Sequence, residues 1–156
     1  MKTVLAAIDF SPVSRRIVAA ALELARAIGG RVILLHVVHP PAFAAEIAPL
    51  LGDVIQLTGE VERGARRRLK RLQDRLLVQG ATVATLCRQG APAEEILGRA
   101  TEEGADYIVL GSHGHTAFHD LVSGSTTSRV LKRAAVPVVV VPAQSVRTAR
   151  RKTVRR

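Results

Sequence analysis

The sequence predicts an α/β fold: a doubly wound five-stranded parallel sheet in the order 3-2-1-4-5, with helices on both faces. Three observations point there. Short apolar runs alternate with amphipathic stretches as far as residue 143, giving β-α-β-α-β-α-β-α-β without an internal repeat or linker. The run Arg31–Val38 (RVILLHVV) is apolar on both faces, as a central strand covered from two sides should be. Right-handed crossovers between parallel strands then distribute the helices over both faces. One domain, 1–143, is expected, followed by a basic flexible tail, 144–156.

Each element follows from its pattern. Thr3–Ile8 reads as a buried strand, after which Ser11 is a good N-cap and Pro12 suits the first helical position. Val13, Ile17, Ala20, Ala21, Leu24 and Ile28 recur at helical spacing until Gly29-Gly30 stops the helix. Arg31–Val38 is the second strand. Pro40, Pro41, Pro49 and Gly52 mark 39–52 as a loop that covers the site. A long helix with Val61, Ala65, Leu69, Leu72 and Leu76 on one face runs to near Gly80. Thr82–Cys87 is the third strand, and Pro92 opens a helix through Ile96, Leu97 and Ala100 to Gly104. Strand 106–110, a glycine loop, helix 125–135 and strand Val138–Val141 complete the chain.

Composition narrows the class. Apolar residues make up 47% of the 156 and aromatics only 3%, so Val, Ile, Leu and Ala must build the core. No apolar run approaches the roughly 18 residues that cross a bilayer, and the apolar stretch near Met1 is too short for a signal peptide. A single cysteine, Cys87, allows no internal disulfide and reads as an inert core thiol; a cytoplasmic location is the default expectation.

The formal net charge of +10 resembles a nucleic-acid signature until it is located. Six basic residues and no acid stand in 146–156, which leaves +4 on the rest. A second basic run, Arg63 to Arg75, falls on the long helix, partly balanced by Glu60, Glu62 and Asp74. Nucleic-acid binders usually interleave aromatics with such charge for stacking. Here Phe10, Phe43, Phe118 and Tyr107 all lie outside the basic runs, which favours solvated charge over nucleic-acid binding.

The stretch that carries chemistry is Gly111-Ser-His-Gly114, followed nine residues later by Gly124-Ser125-Thr126. It starts where an apolar strand ends and finishes where an amphipathic helix begins. Glycines there let backbone amides approach a ligand, and a helix start offers free N–H groups and two hydroxyls. That combination suits a phosphate group. Gly and Ser are ordinary loop residues too, but the second glycine cluster favours an anion site over a plain loop. In the order 3-2-1-4-5, the first and fourth strands are neighbours whose connections leave in opposite directions, and ligands bind outside their carboxyl ends. Asp9 ends the first and Gly111 the fourth.

Asp9 beside phosphate would have to face a ribose hydroxyl or a divalent cation; the alternative is a cap for the first helix. His113, His115 and His119 crowd the loop at a spacing that matches no recognised zinc pattern, so exposed loop histidines are the stronger reading, one of them within reach of phosphate. His36, within an apolar strand, reads as a satisfied core histidine. Ser125 and Thr126 have no base beside them in sequence, so no nucleophilic triad is expected.

On these residues the chain resembles the universal stress protein family, whose ATP-binding branch carries Gly-x-x-Gly, nine residues, then Gly-Ser/Thr. Gly111, Gly114, Gly124 and Ser125 match, as do Ile8-Asp9-Phe-Ser, Leu34-Leu-His-Val37 and Val136-Pro-Val-Val-Val, so the resemblance spans 2–142. It implies that Ala7 and Asp9 line the ribose and adenine side and that Val37 meets adenine through its backbone. It also implies that Gly111, His113, Gly114, Gly124, Ser125 and Thr126 hold ribose and phosphates, with Mg²⁺ or Mn²⁺ assisting at Asp9. His115 and Asp120 depart from the family loop, and an inward-facing Asp120 would weaken triphosphate affinity; the arginine-rich tail lies outside the pattern.

The expected function is that of an ATP-binding stress or regulatory protein, a homodimer paired through the apolar edge strand 138–141, with an unknown regulatory partner and no membrane role. At most slow ATP hydrolysis is expected, since no base is positioned for it. Pyrophosphatases and synthetases of related folds carry Ser-Gly-Gly-x-Asp-Ser or His-Ile-Gly-His after the first strand, where this chain has Asp9-Phe-Ser-Pro-Val. A non-nucleotide interaction protein is disfavoured by the complete glycine pattern, and nucleic-acid binding would rest on the tail alone.

Overall fold

The computed structural model describes residues 1–39, 54–112 and 125–143, apart from the side chains of 54–58 and 125. Its strands are β1 (Thr3–Ala7), β2 (Arg31–Val38), β3 (Val83–Gln89), β4 (Tyr107–Gly111) and β5 (Val138–Val141). Its helices are α1 (Ser14–Ala27), α2 (Val54–Val78), α3 (Pro92–Glu102) and α4 (Ser125–Arg133). The strands form one sheet in the order β3-β2-β1-β4-β5, every pair parallel, as the alternating pattern predicts. The predicted loop 39–52 beyond His39, the stretch from His113 to Gly124 and the tail from 144 lie outside the described residues.

Two apolar layers flank the sheet. Val4, Ala6, Val32 and Leu34 face α1 and α2, packing with Ile17, Ala21, Ala65 and Leu69. Leu5, Ile33, Leu35 and Ile108 point the other way, onto Ala93 and Ile96 of α3 and Val130 of α4. Alternate residues of one strand thus feed two separate cores, which explains why the strands read as continuous apolar runs. Each fully buried Leu or Ile contributes on the order of 2 kcal/mol by leaving water.

Helix ends follow their local chemistry. Gly29 adopts φ +63°, and its N–H and that of Gly30 return to the carbonyls of Arg26 (3.4 Å) and Ala25 (2.7 Å), closing α1. Gly30 then passes so near β1 that a Cβ on it would stand 2.7 Å from the Lys2 carbonyl oxygen. Pro92 opens α3 at its first turn, as predicted.

The start of α1 corrects the expectation. The helix begins at Ser14 rather than Pro12, and Ser11 makes no side-chain cap; its hydroxyl is buried without a hydrogen-bond partner among the described residues. Asp9 instead braces the turn that leads into the helix, its Oδ1 accepting from the Ser11 N–H (2.9 Å) and the Ser14 hydroxyl (3.1 Å). An Asp carboxylate readily reaches the amide two residues on, and that local turn takes the place of the Ser11 cap. Lesser shifts of boundary occur at β1, which ends one residue early, and at β3 and β4, which run on to Gln89 and Gly111. Val61, expected on the core face of α2, is instead exposed, while Ala65, Leu69 and Leu76 are buried.

Candidate functional site

β1, β2 and β4 end at the same edge of the sheet, and beyond their carboxyl ends opens a cleft of about 940 Å³. Ala7 and Asp9 reach it from β1, Val37 from β2, Gly111 from β4 and Thr126 from the first turn of α4. These segments are distant in sequence and meet where the strand connections diverge, which is where open α/β sheets bind ligands. Among the predicted site residues, Ala7, Asp9, Val37, Gly111 and Thr126 are therefore brought together. Ser125 opens α4. His113, Gly114 and Gly124, like His115 and His119, fall outside the described residues.

The β4–α4 side is held by a residue the sequence reading did not single out. The Thr127 hydroxyl donates to the Gly111 carbonyl at 2.8 Å, fixing the helix start against the strand end. Beside it, the Ser112 N–H donates to the Val141 carbonyl (2.9 Å), and the Ser112 hydroxyl accepts from the Ala143 N–H (3.1 Å).

The β1–β2 side brings three groups together. Phe10 follows Asp9 with φ +61°, a left-handed conformation that costs a non-glycine residue about 1 kcal/mol or more. Its ring lies 4.5 Å from the His36 ring, and the Arg68 guanidinium stands 5.3 Å over it. His36 donates from Nδ1 to the Ile8 carbonyl (2.8 Å). The histidine is thus satisfied, as expected, but it lines the cleft and does not belong to the core.

A second revision concerns the basic run on α2. Arg67, Arg68 and Arg71 line the cleft together with Gly64 and Val61, so part of that run is a wall of the site. The signal was present: 61, 64, 68 and 71 recur at helical spacing, and Gly64 leaves open space where a side chain would stand. Asp9 is the single carboxylate lining the cleft among the described residues. No group of three or more His, Cys, Asp or Glu that could hold a metal ion occurs among them.

Cys87 is buried on β3 within the core, and desolvation pushes its thiol above the ordinary value, consistent with an inert core residue. No helix of the described residues is long and apolar enough to cross a membrane.

The model of the universal stress protein family matches residues 1–142. Universal stress protein MJ0577 of Methanocaldococcus jannaschii is 34% identical over 122 residues, covering 70% of this chain and 75% of that protein. A universal stress protein from Thermus aquaticus is 33% identical over 145 residues, 90% of this chain and 98% of its own length. The solved structure of MJ0577 superposes with a TM-score of 0.74 at 30% identity, covering 92% of this chain and 97% of that one. A universal stress protein solved in complex with cAMP shares the fold, with a TM-score of 0.59 at 23% identity and coverage of 90% and 95%.

Proposed function

Since the chain belongs to the universal stress protein family, we propose that it is an ATP-binding regulatory member of it, acting as a nucleotide-dependent homodimer. The observation that carries this reading is the convergence of Asp9, Gly111 and Thr126 on one cleft. Its volume of about 940 Å³ is ample for a nucleotide, since ligand pockets commonly measure about 300–1,000 Å³. Among the described residues its lining brings three arginines and one carboxylate, a donor set that fits a polyanion accompanied by a single divalent cation.

In this proposal Ala7 and Asp9 lie along the ribose and adenine, and the Val37 backbone meets the base. Gly111, His113, Gly114, Gly124, Ser125 and Thr126 hold the ribose and phosphates. Mg²⁺ or Mn²⁺ takes one protein ligand from Asp9 and the rest from phosphate oxygens and water. The α4 N-terminus at Ser125 adds its free amides and positive dipole end.

Protein purified without added nucleotide should release ATP on acid precipitation. Calorimetry should find ATP affinity at least tenfold weaker in Gly114→Val, because a branched side chain blocks close approach of backbone to phosphate. Unchanged affinity in that variant overturns the phosphate-loop assignment.

The dimer rests on β5. It is the last strand of the sheet and is built of four valines, with Val139 exposed. An apolar edge with unpaired backbone groups invites pairing with a second copy about a two-fold axis. Light scattering at micromolar concentration should show twice the chain mass; a single species of 16.7 kDa refutes it.

A further inference from the structure

The charges of α2 divide by direction. Arg66 pairs with Glu62 and Lys70 with Asp74, each one turn along the helix. Arg67, Arg68 and Arg71, which line the cleft, pair with no carboxylate among the described residues. Asp9, the one acid lining the cleft among the described residues, already engages its Oδ1 with the Ser11 N–H and the Ser14 hydroxyl. Three cations sharing one helix face repel one another, an arrangement relieved by an anion placed among them.

Topology places this cluster away from the glycine side. α2 packs over β2 and β3, on the α1 face of the sheet, whereas α4 begins at the end of β4 and packs on the opposite face. β1 stands between β2 and β4. Two strand spacings, about 10 Å, therefore separate the two ends of the cleft, a gap that arginine side chains shorten. The bare backbone of Gly64 keeps the α2 wall open, as a Cβ there would meet nothing within 4 Å.

We propose that Arg67, Arg68 and Arg71 form a second anion subsite, which receives a phosphate group carried on a different part of the ligand from the phosphates at Gly111 and Thr126. Resting on the nucleotide reading above, this makes the favoured ligand class a nucleotide phosphorylated at two separate positions. Arginine suits the role because its planar guanidinium offers paired donors to phosphate oxygens and stays charged throughout. Arg68 stands 5.3 Å over the Phe10 ring, a cation–π contact that favours this placement of its guanidinium.

The test is calorimetry at fixed low ionic strength on the full chain, with 5′-AMP, adenosine 3′,5′-bisphosphate, ATP and inorganic pyrophosphate as probes. Wild type should bind the bisphosphate at least tenfold more tightly than AMP. R67Q/R68Q/R71Q should reduce that preference to less than threefold while AMP affinity changes little, and R71Q alone should fall between them. The substituted side chains are exposed, so melting temperature should hold. A wild type without the preference, or a triple variant that keeps it, overturns the subsite. The two proposals separate cleanly. Arginine-dependent pyrophosphate binding without ATP binding supports the subsite and sinks the ATP reading. ATP binding that needs Gly114 but shows no bisphosphate preference does the reverse.

Discussion

The Thr127 hydroxyl donates a 2.8 Å hydrogen bond to the Gly111 carbonyl across a sequence separation of 16 residues. That bond ties the first turn of α4 to the last residue of β4, so both ends of the glycine segment share one anchor. Thr127 is almost fully buried, and the bond is sheltered from competing water. Thr127→Val keeps the shape and removes the donor. It should lower stability by about 1 kcal/mol and weaken ATP binding, while Thr127→Ser keeps most of both. Urea unfolding with parallel calorimetry checks this, and a Val variant equal to wild type in both refutes the anchor.

Asp9 carries two roles that a pair of measurements separates. Its carboxylate accepts from the Ser11 N–H and the Ser14 hydroxyl, holding the entry to α1. Loss of a hydrogen bond to a charged group costs about 1–2 kcal/mol. Asp9→Ala should therefore melt lower and also lose the Mg²⁺-dependent part of its ATP affinity. A variant that melts lower but keeps the full Mg²⁺ effect limits Asp9 to bracing the turn before α1.

Phe10 offers a comparison within one position. At φ +61° any residue with a Cβ is strained, and glycine is not. Phe10→Ala and Phe10→Gly both lose the ring contacts with His36 and Arg68. The glycine variant should nonetheless be the more stable of the two by about 1 kcal/mol, the reverse of the usual order. Equal stabilities, or a better alanine, would show that the turn relaxes.

At the opposite end of the sheet, Asp106 accepts from the Lys2 ammonium (2.6 Å) and the Thr3 N–H (2.8 Å). The Lys2 hydrogen bond foremost, then that of Thr3, holds its carboxyl below the ordinary value of 3.8. A carboxyl lowered on folding stabilises the fold above its ordinary value and loses that contribution as pH falls through the lowered one. Lys2, raised above 10.5 chiefly by the hydrogen bond to Asp106, contributes below that value and loses it as pH rises beyond. The melting-temperature gap between wild type and Asp106→Asn should thus be present at pH 7 and close in strong acid. A gap independent of pH would place the effect in shape and not in charge.

Much of this architecture was legible because it rests on short-range pattern. The alternation of apolar runs with helical periodicity gives five strands and their crossovers, and chirality leaves few ways to arrange them. Gly29-Gly30 and Pro92 mark helix ends through backbone constraints that act within a few residues. Asp9 and Gly111 could be assigned to one cleft because strand order alone brings their positions together.

Tertiary structure decided what depends on the direction of a side chain between elements. Arg67, Arg68 and Arg71 look the same in sequence as Arg66 and Lys70; only the seating of α2 on β2 and β3 turns three toward the cleft and leaves two paired along the helix. Asp9 braces the entry to α1 across a turn in which Phe10 is left-handed and Ser11 presents its amide to the carboxylate. Thr127 reaches Gly111 only once β4 and α4 are docked. Periodicity specifies which face of an element is apolar, but packing against distant segments sets which polar groups meet, and that information is not local.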